Sequence, residues 1–459
     1  MKIAVLSGSP KGELGVTLQY VKFIEKKFPQ NELKIINVSQ RIQRIEKDEE
    51  TFAKIMDDVK TSDGVLWAFP LYVMLVPAQH KRFIELIWER GAQKAFKDKY
   101  TAVLSTSIHF FDHTAHNYMR AICDDLDMKF VESFSADMDD LFSEPMRTKL
   151  LIFAENFFKA IENKLPTSKS YMPLACSKFS YAPGKVKDKV DTRGKRIVVV
   201  TDVQDNGSNM AKMVKRFRES FSQDIEVVNL YDIDIKGGCL GCVECGFDNI
   251  CVYEGKDEFI GFFNSKLRNA DITIFAGAIK DRFLSARMKM SWDRSFFNGH
   301  IPVGKGKQIG FIVSGPLSQI PNLRQILEAE AEMSLANLVD IISDECGDSP
   351  QLDALLQNFA SRSVQFSVEN YIRPNTFLGV GGYKIFRDAI WARLRFPFLA
   401  DYRFYRKHKL FDFPQKDKRY LEFSKQMIDL IKKPGMKEMV RKMIKTEMVK
   451  PYQRVVETK

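Results

Sequence analysis

The chain has 459 residues, 45% of them apolar and 28% charged, which leaves ample material for a core and excludes a disordered or fibrous polypeptide. Seven cysteines, four of them clustered, exclude a disulfide framework and fit a reducing compartment. The net charge of +11 is local, because positions 371–459 hold 22 Lys+Arg against 9 Asp+Glu and the rest of the chain is close to neutral.

The opening, MKIAVLSGSPKG, reads as a strand and a turn, without the basic start and apolar run of a signal peptide. No apolar run reaches the ~18 residues of a membrane span, so a cytoplasmic protein is expected. After the first strand comes a helical pattern, VTLQYVKFIEKKF, then the strand NELKIINV, a helix over 49–60, and the buried-strand run GVLWAF. A turn with Pro70 leads into the helix PAQHKRFIELIWERG. The strand YTAVLSTS, a helix over 116–125 and the strand MKFVESFSAD close this unit. The series restarts at Lys195 with KRIVVVTD and runs through DIEVVNLY, DITIFAG, KQIGFIVSG and ANLVDIIS, with helical patterns between them. Strands alternating with helices mean βαβ units and a parallel sheet. The expected fold is α/β: two tandem flavodoxin-like, doubly wound, five-stranded parallel sheets, followed by a mainly helical extension. The expected segments are 1–165, a linker over 166–194, 195–348, and a basic, aromatic-rich extension over 349–459. Helices are expected there over 383–393, 420–432 and 436–448.

In such a fold ligands bind beyond the carboxyl ends of the strands. The first loop there carries Ser7, Ser9, Pro10 and Lys11 and leads to Thr17 on the following helix. Hydroxyls, backbone N–H groups and a helix N-terminus suit a phosphate monoester. The second, Pro70-Leu71-Tyr72-Val73, can lay backbone and a ring against a flat heterocycle. The third carries Ser105, Ser107 and His109, with His113 and His116 close behind. These histidines suit pocket lining better than zinc ligation.

After the second strand of the second series stand Cys239, Cys242, Cys245 and Cys251, spaced C-x2-C-x2-C-x5-C. Four thiolates on one short loop select an iron–sulfur cluster or zinc over hard cations. A compact run of four is closer to cluster spacing than to paired zinc knuckles.

Ser9-Pro10-Lys11 with Thr17, and Pro70-x-Tyr72 followed by Pro77-Ala78 and Lys81-x-Phe83, resemble the NADPH-dependent FMN reductase superfamily. The cysteine loop with Asp257-Glu258 after it resembles the iron–sulfur flavoproteins of that superfamily. The resemblance implies FMN phosphate on the first loop and the isoalloxazine ring on the Pro-x-Tyr loop. It further implies a [4Fe-4S] cluster on the four cysteines and NAD(P)H as electron donor. Structural zinc is the rival for the thiolates. The first repeat has the better flavin loops but no cysteines. The second has the cysteines, but Asp202 and Asp205 in its first loop would repel a phosphate, and Ala278–Phe283 lacks Pro-x-Tyr. The implied arrangement is FMN on the first repeat and the cluster on the second, with two FMN molecules as the alternative. Tyr72, His109 and Arg282 are candidates for substrate contact.

Arg387, Arg393, Arg395, Arg403 and Arg406 interleave with Phe386, Trp391, Phe396, Phe398 and Tyr402. The bland expectation is a docked helical extension. The functional one is docking of a ferredoxin or another acidic redox protein. No nucleic acid is expected, and a homo-oligomer is possible by analogy with single-domain relatives. The expected reaction moves electrons from NAD(P)H or a ferredoxin-type donor to a small organic acceptor. The alternatives are an FMN reductase with structural zinc and a non-enzymatic electron carrier or redox-sensing module.

Overall fold

Short runs form the two sheets. The computed structural model describes residues 1–175, 177–411, 418–443, 447 and 450; Cys176 lies outside them. Strands β1 (Lys2–Ser7), β2 (Glu32–Ile36), β3 (Gly64–Pro70), β4 (Tyr100–Ser107) and β5 (Lys129–Asp137) build the first sheet. Its helices are α1 (Val16–Lys27), α2 (Ile42–Lys47), α3 (Glu49–Thr61), α4 (Ala78–Glu89), α5 (Asp112–Asp125) and α6 (Glu144–Glu162). The second sheet contains β6 (Ile197–Thr201), β7 (Glu226–Asn229), β8 (Ile272–Ala278), β9 (Gln308–Ser314) and β10 (Asn337–Ser343). Around it stand α7 (Asn209–Glu219), α8 (Phe259–Phe262), α9 (Ala286–Ser295), α10 (Pro321–Met333) and α11 (Ser349–Glu369). Then come α12 (Phe377–Trp391), α13 (Leu399–Lys407) and α14 (Lys418–Ile431).

The strand orders are β2-β1-β3-β4-β5 and β10-β9-β8-β6-β7. Read from opposite edges, these are the same flavodoxin-like order, and every pairing is parallel. Both sheets are therefore doubly wound, with a switch point beside the first strand of each. The central strands, such as β1, β3, β6 and β9, are buried on both faces, while the edge strands β2, β5 and β7 are partly exposed.

Two long helices escaped the sequence reading. No helix is expected over 144–162, and 349–369 falls there in the extension. Instead α6 buries Leu150, Phe153, Ala154 and Phe157 against Ile3, Val5 and Leu66 of the first sheet. Likewise α11 buries Leu352, Leu356, Phe359 and Ala360 against Val199, Ile274 and Ile312 of the second. Both helices bury one face at helical spacing, Leu150, Phe153, Ala154, Phe157 and Phe158 in α6 and Leu352, Leu356, Phe359, Ala360 and Val364 in α11, and so cover the outer face of a sheet. The stretch between the two sheets is pinned as well as irregular: Asp124 accepts the N–H groups of Ser170 and Tyr171, and Gln319 exchanges two hydrogen bonds with Ala175.

The opposite faces of the two sheets share one core. Ala4, Leu6 and Trp67 from the first and Val198, Val200 and Phe311 from the second belong to the same buried cluster. Its centre is the crossing of α4 and α9, the equivalent helices of the two repeats. Each carries a buried lysine and, four residues on, a buried acid: Lys81 with Glu85 and Lys289 with Asp293. Each acid then reaches across to the other helix. The Ala78 N–H donates to Asp293 Oδ2 at 2.7 Å, and the Ala286 N–H donates to Glu85 Oε1 at 2.6 Å. Two helix N-termini are thus capped reciprocally by carboxylates of the opposite repeat, where the dipole favours negative charge.

The chain forms two compact units, Met1–Phe404 and Tyr405–Lys459. In the second unit α14 is followed by a helical stretch over 436–443; the helix expected over 436–448 falls partly outside the described residues. Among the described residues, no helix is long and apolar enough to cross a membrane.

Candidate functional site

Three loops converge at the carboxyl edge of the first sheet. The first keeps close to the sheet: Ser7 and Ser9 are buried, and Ser9 Oγ accepts the Lys11 N–H at 3.3 Å. Ser7 Oγ is buried without a hydrogen-bond partner, and Gly15, which caps α1, offers its N-terminus no side-chain acceptor. An open helix terminus and an orphaned hydroxyl suit an anion. Thr17, buried in the first turn of α1, shares a 2.6 Å hydrogen bond with the Thr106 hydroxyl.

Beneath this loop lies His80, fully buried, stacked on Trp67 at 5.5 Å, with neither ring nitrogen bonded. It is so close that a Cβ on Gly8 would collide with its ring. Burial lowers its pKa to about 3, while an unfolded histidine titrates near ~6.5. The unfolded chain therefore takes the proton first. This contribution to stability is complete above about pH 6.5 and is lost as pH falls toward 3. His80→Phe is expected to flatten part of that acid decline, read as the denaturation midpoint against pH; an unchanged slope would contradict it.

The second loop is a two-residue hairpin. The Tyr72 and Leu75 backbones bridge, and between them Val73 and Met74 sit at φ 40° and 62°. A β-branched residue in that region is strained. The second repeat makes the same turn with Asp281 and Arg282 at φ 46° and 61°. Leu71 N–H donates to Thr106 O at 3.1 Å, tying the hairpin, which begins at the half-buried Pro70, to β4. Lys289 Nζ, from the second repeat, donates to Tyr72 O at 2.9 Å.

In the third loop, Ser105 Oγ pairs with His116 Nε2 at 2.6 Å, and Ser107 Oγ accepts the His109 N–H at 2.9 Å. His109 Nδ1 meets Asp112 Oδ2 at 2.9 Å, a hydrogen bond that raises the imidazole's pKa. Burial lowers His116 to about 4. The loop is left-handed at His109 and Phe111, φ 59° and 52°. The three histidines turn to separate partners rather than to one centre.

The cysteine loop, after β7, sits on this edge of the other repeat. Gln79 Nε2 donates to Cys239 O at 3.0 Å, and Gln43 Nε2 to Lys236 O at 2.5 Å. Gly241 lies against Tyr72 so closely that a Cβ there would collide with the tyrosine hydroxyl, with Lys11 Cε 3.2 Å away. Burial above all, then neighbouring Cys239, Asp293 and Cys242, raises the Tyr72 pKa well above 10. The flavin-type loops of one repeat and the thiols of the other therefore meet at one place.

All four cysteines line a single cavity with Tyr253, Arg294, Phe296 and Phe297. Arg294 is buried, forked onto Asp257 at 2.7 and 3.0 Å, donates to Gly237 O at 2.9 Å, and stacks 4.0 Å from the Tyr253 ring centre. Cys242 is exposed; Cys239 and Cys245 are pushed up to about 12, first by burial and then by neighbouring thiols. Among the described residues no group of three or more His, Cys, Asp or Glu side chains stands at metal-holding geometry. The four thiols on this cavity are soft donors, with a buried guanidinium beside them.

Residues 393–398, within the first unit, close over this region. A Cβ on Gly246 would collide with Pro397 O. Phe396 meets Phe247 edge-on at 5.7 Å. Leu394 and Phe398 pack with Ile108, Met138 and Val243. Arg393 forks onto Asp137 at 2.5 and 2.6 Å.

The equivalent edge of the second repeat is occupied by its own groups. Ser208 caps α7 by accepting the Ala211 N–H, and Asp205 accepts the Gly207 N–H. Asp202 is engaged by Ser285. Where the first repeat has Tyr72, Lys280 pairs with Glu85 and Glu89. Arg282 is no substrate contact: it is 3% exposed, forked onto Asp125 at 2.5 and 2.6 Å, and donates to Met172 O.

A 2-1-3-4-5 parallel sheet with three loops converging at its carboxyl edge defines the flavodoxin-like class. Residues 1–139 match the family described as NADPH-dependent FMN reductase, which makes this domain that of a flavin-dependent oxidoreductase. No curated protein sequence matches the chain. Among solved structures, an NADH:FMN oxidoreductase in its apo form is 18% identical over 34% of this chain and 87% of its own, with a TM-score of 0.30. The flavoenzyme NAD(P)H:(acceptor) oxidoreductase FerB from Paracoccus denitrificans is 17% identical over 34% of this chain and 97% of its own, TM-score 0.28. An NAD(P)H:quinone oxidoreductase from Methanothermobacter marburgensis is 11% identical over 37% and 99%, TM-score 0.28.

His80 and Pro397 escaped the sequence reading as site residues, whereas Gln79 follows the second loop, and Lys289 and Arg294 stand on the helix of the second repeat that keeps the family pattern. One signal was present: Lys81/Glu85 and Lys289/Asp293 recur at the same spacing in both repeats, and a lysine four residues before an acid at equivalent positions points to a shared interface.

Proposed function

We propose that the protein is an FMN-dependent NAD(P)H oxidoreductase whose flavin lies on the first repeat and whose cysteine loop holds a [4Fe-4S] cluster. The observation that supports this reading is the apposition of Gly241 with Tyr72 and Lys11. It brings two candidate cofactor sites from different repeats together, the arrangement that a pseudo-dimer of single-domain relatives would have. FMN, when bound, would supply hydride acceptance and single-electron release, and a cluster would carry one electron at a time. Ser7, Ser9, Pro10 and Lys11 would hold the phosphate, and Pro70, Leu71, Tyr72 and Val73 the ring, with Ser105, Ser107 and His109 along its edge. Cys239, Cys242, Cys245 and Cys251 would hold the metal. Residues 1–165 and 195–348, with α11 added to the second, would be the two working domains. The acceptor is a small organic molecule such as a quinone, and an acidic ferredoxin-type protein is the partner version of the same role.

Anaerobic purification tests this directly. The expected result is a flavin spectrum with a broad ~400 nm shoulder and about four Fe per chain. One Zn per chain would replace the cluster with a structural site, and flavin without NAD(P)H turnover would leave an electron carrier or sensor. Lys11→Ala is expected to weaken FMN retention while sparing iron; equal loss of both would contradict the division between repeats.

A further inference from the structure

The second unit contains a feature that the redox site does not use. In α14, Leu421, Phe423, Met427, Ile428, Leu430 and Ile431 fall on one half of the helix at a 3.6-residue period. Glu422, Lys425, Asp429 and Lys432 fall on the other half. The apolar half is open: Leu421, Phe423 and Ile428 are 57%, 59% and 52% exposed. After Pro434-Gly435 the pattern repeats over 436–443, where Met436, Met439, Val440 and Met443 take the i, i+3, i+4, i+7 positions and Met439 and Met443 are each 46% exposed.

The polar halves are basic. From 421 to 443 stand Lys425, Lys432, Lys433, Lys437, Arg441 and Lys442 against three acids. Two of those acids are already paired within the unit, Asp429 with Lys432 at 2.8 Å and Glu438 with Arg441 at 2.9 Å. The whole unit, 405–459, holds 16 Lys+Arg and 7 Asp+Glu. A single basic amphipathic helix would suit a protein groove as well as a membrane. A half-apolar helix flanked by lysines whose stems can lie along the boundary, repeated in a second helical stretch, fits an interface that is apolar below and anionic above.

We propose that this unit binds the surface of an anionic lipid bilayer, with the apolar faces of α14 and 436–443 entering the headgroup boundary and the lysines meeting lipid phosphates. The proposal is independent of which metal or acceptor the first unit uses. Binding then depends on both the charge of the surface and the apolar faces.

The test is sedimentation of the full-length protein with vesicles of pure phosphatidylcholine and of phosphatidylcholine with about one third phosphatidylglycerol. The expected result is co-sedimentation with the anionic vesicles, at least tenfold weaker with the neutral ones. Ile428→Asp with Leu421→Asp should abolish it, and Lys432→Gln with Lys433→Gln should weaken it and reduce its salt dependence. Flavin content serves as the check that the first unit stays folded in each variant. Failure to sediment with either vesicle, or binding unaffected by the aspartates, overturns the proposal; the second outcome reduces it to unspecific charge attraction. Concentration-dependent self-association abolished by the same aspartates, without vesicle binding, would assign the face to a second copy instead.

Discussion

Lys289→Met is expected to lower the unfolding free energy by about 3–5 kcal/mol, the range for breaking one half of a buried ion pair. Lys289 and Asp293 are both fully buried and pair four residues apart on α9. Without the lysine, the carboxylate keeps only the Ala78 N–H as a partner. The deficit has a definite pH dependence. Burial raises the Asp293 pKa, and removing the cation raises it further, so the folded variant holds a proton that the unfolded chain releases. Its deficit therefore grows as pH rises above the ordinary carboxylate range near ~4 and shrinks in acid. Chemical denaturation followed at two pH values measures this. The Asp293→Asn, Lys289→Met double variant should be less destabilised than the two single losses together, because the pair is coupled. The same lysine donates to the Tyr72 carbonyl, so flavin retention should fall along with stability. A variant of wild-type stability would show that the crossing of α4 and α9 does not depend on this charge.

Gly241→Ala is expected to weaken FMN retention by about tenfold or more, while iron or zinc content stays unchanged. Gly241 stands at φ +65°, and a Cβ there would strike the Tyr72 hydroxyl. A left-handed alanine costs about 1–2 kcal/mol of backbone strain alone; the collision must in addition displace Tyr72 or the loop, and about 1.4 kcal/mol is tenfold in affinity. Gly255→Ala is the control. It lies further along the same loop at φ +70°, with nothing within 4 Å of a Cβ, so it carries the strain without the collision. If both variants bind flavin equally, Tyr72 does not hold the ring where the cysteine loop presses on it. If Gly241→Ala loses metal and keeps flavin, the strain acts on the thiols rather than across the repeats. Titration of released flavin and metal analysis on the same samples separate these outcomes.

The C-terminal aromatics show how far pattern reading reaches. Their number argued for a docked extension, and residues up to Phe404 do dock: Leu394 and Phe398 are buried, and the Pro397 carbonyl rests against Gly246. Nothing in the sequence said that they rest on the cysteine loop. Arg282 failed in the opposite direction. Its place after a strand end made it a site candidate, and the tertiary structure buried it in a fork with Asp125 of the other repeat.

The sequence by itself determined what depends on local period and spacing: ten short strand runs, the turns between them, the repeat, and four thiols on one loop. Each is a property of neighbours along the chain, which is why each could be read. The apolar faces of α6 and α11 also stand in the sequence at helical spacing, but which sheet face each covers is decided only by the tertiary structure. Only the tertiary structure decided which carboxyl edge faces which loop. That choice rests on contacts between residues about 200 positions apart, Ala78 with Asp293, Ala286 with Glu85 and Gly241 with Tyr72, and no spacing in a linear chain encodes their meeting. It turned a flavin-type edge in one repeat and a thiol loop in the other into a single site, and it filled the second repeat's own edge with paired charges.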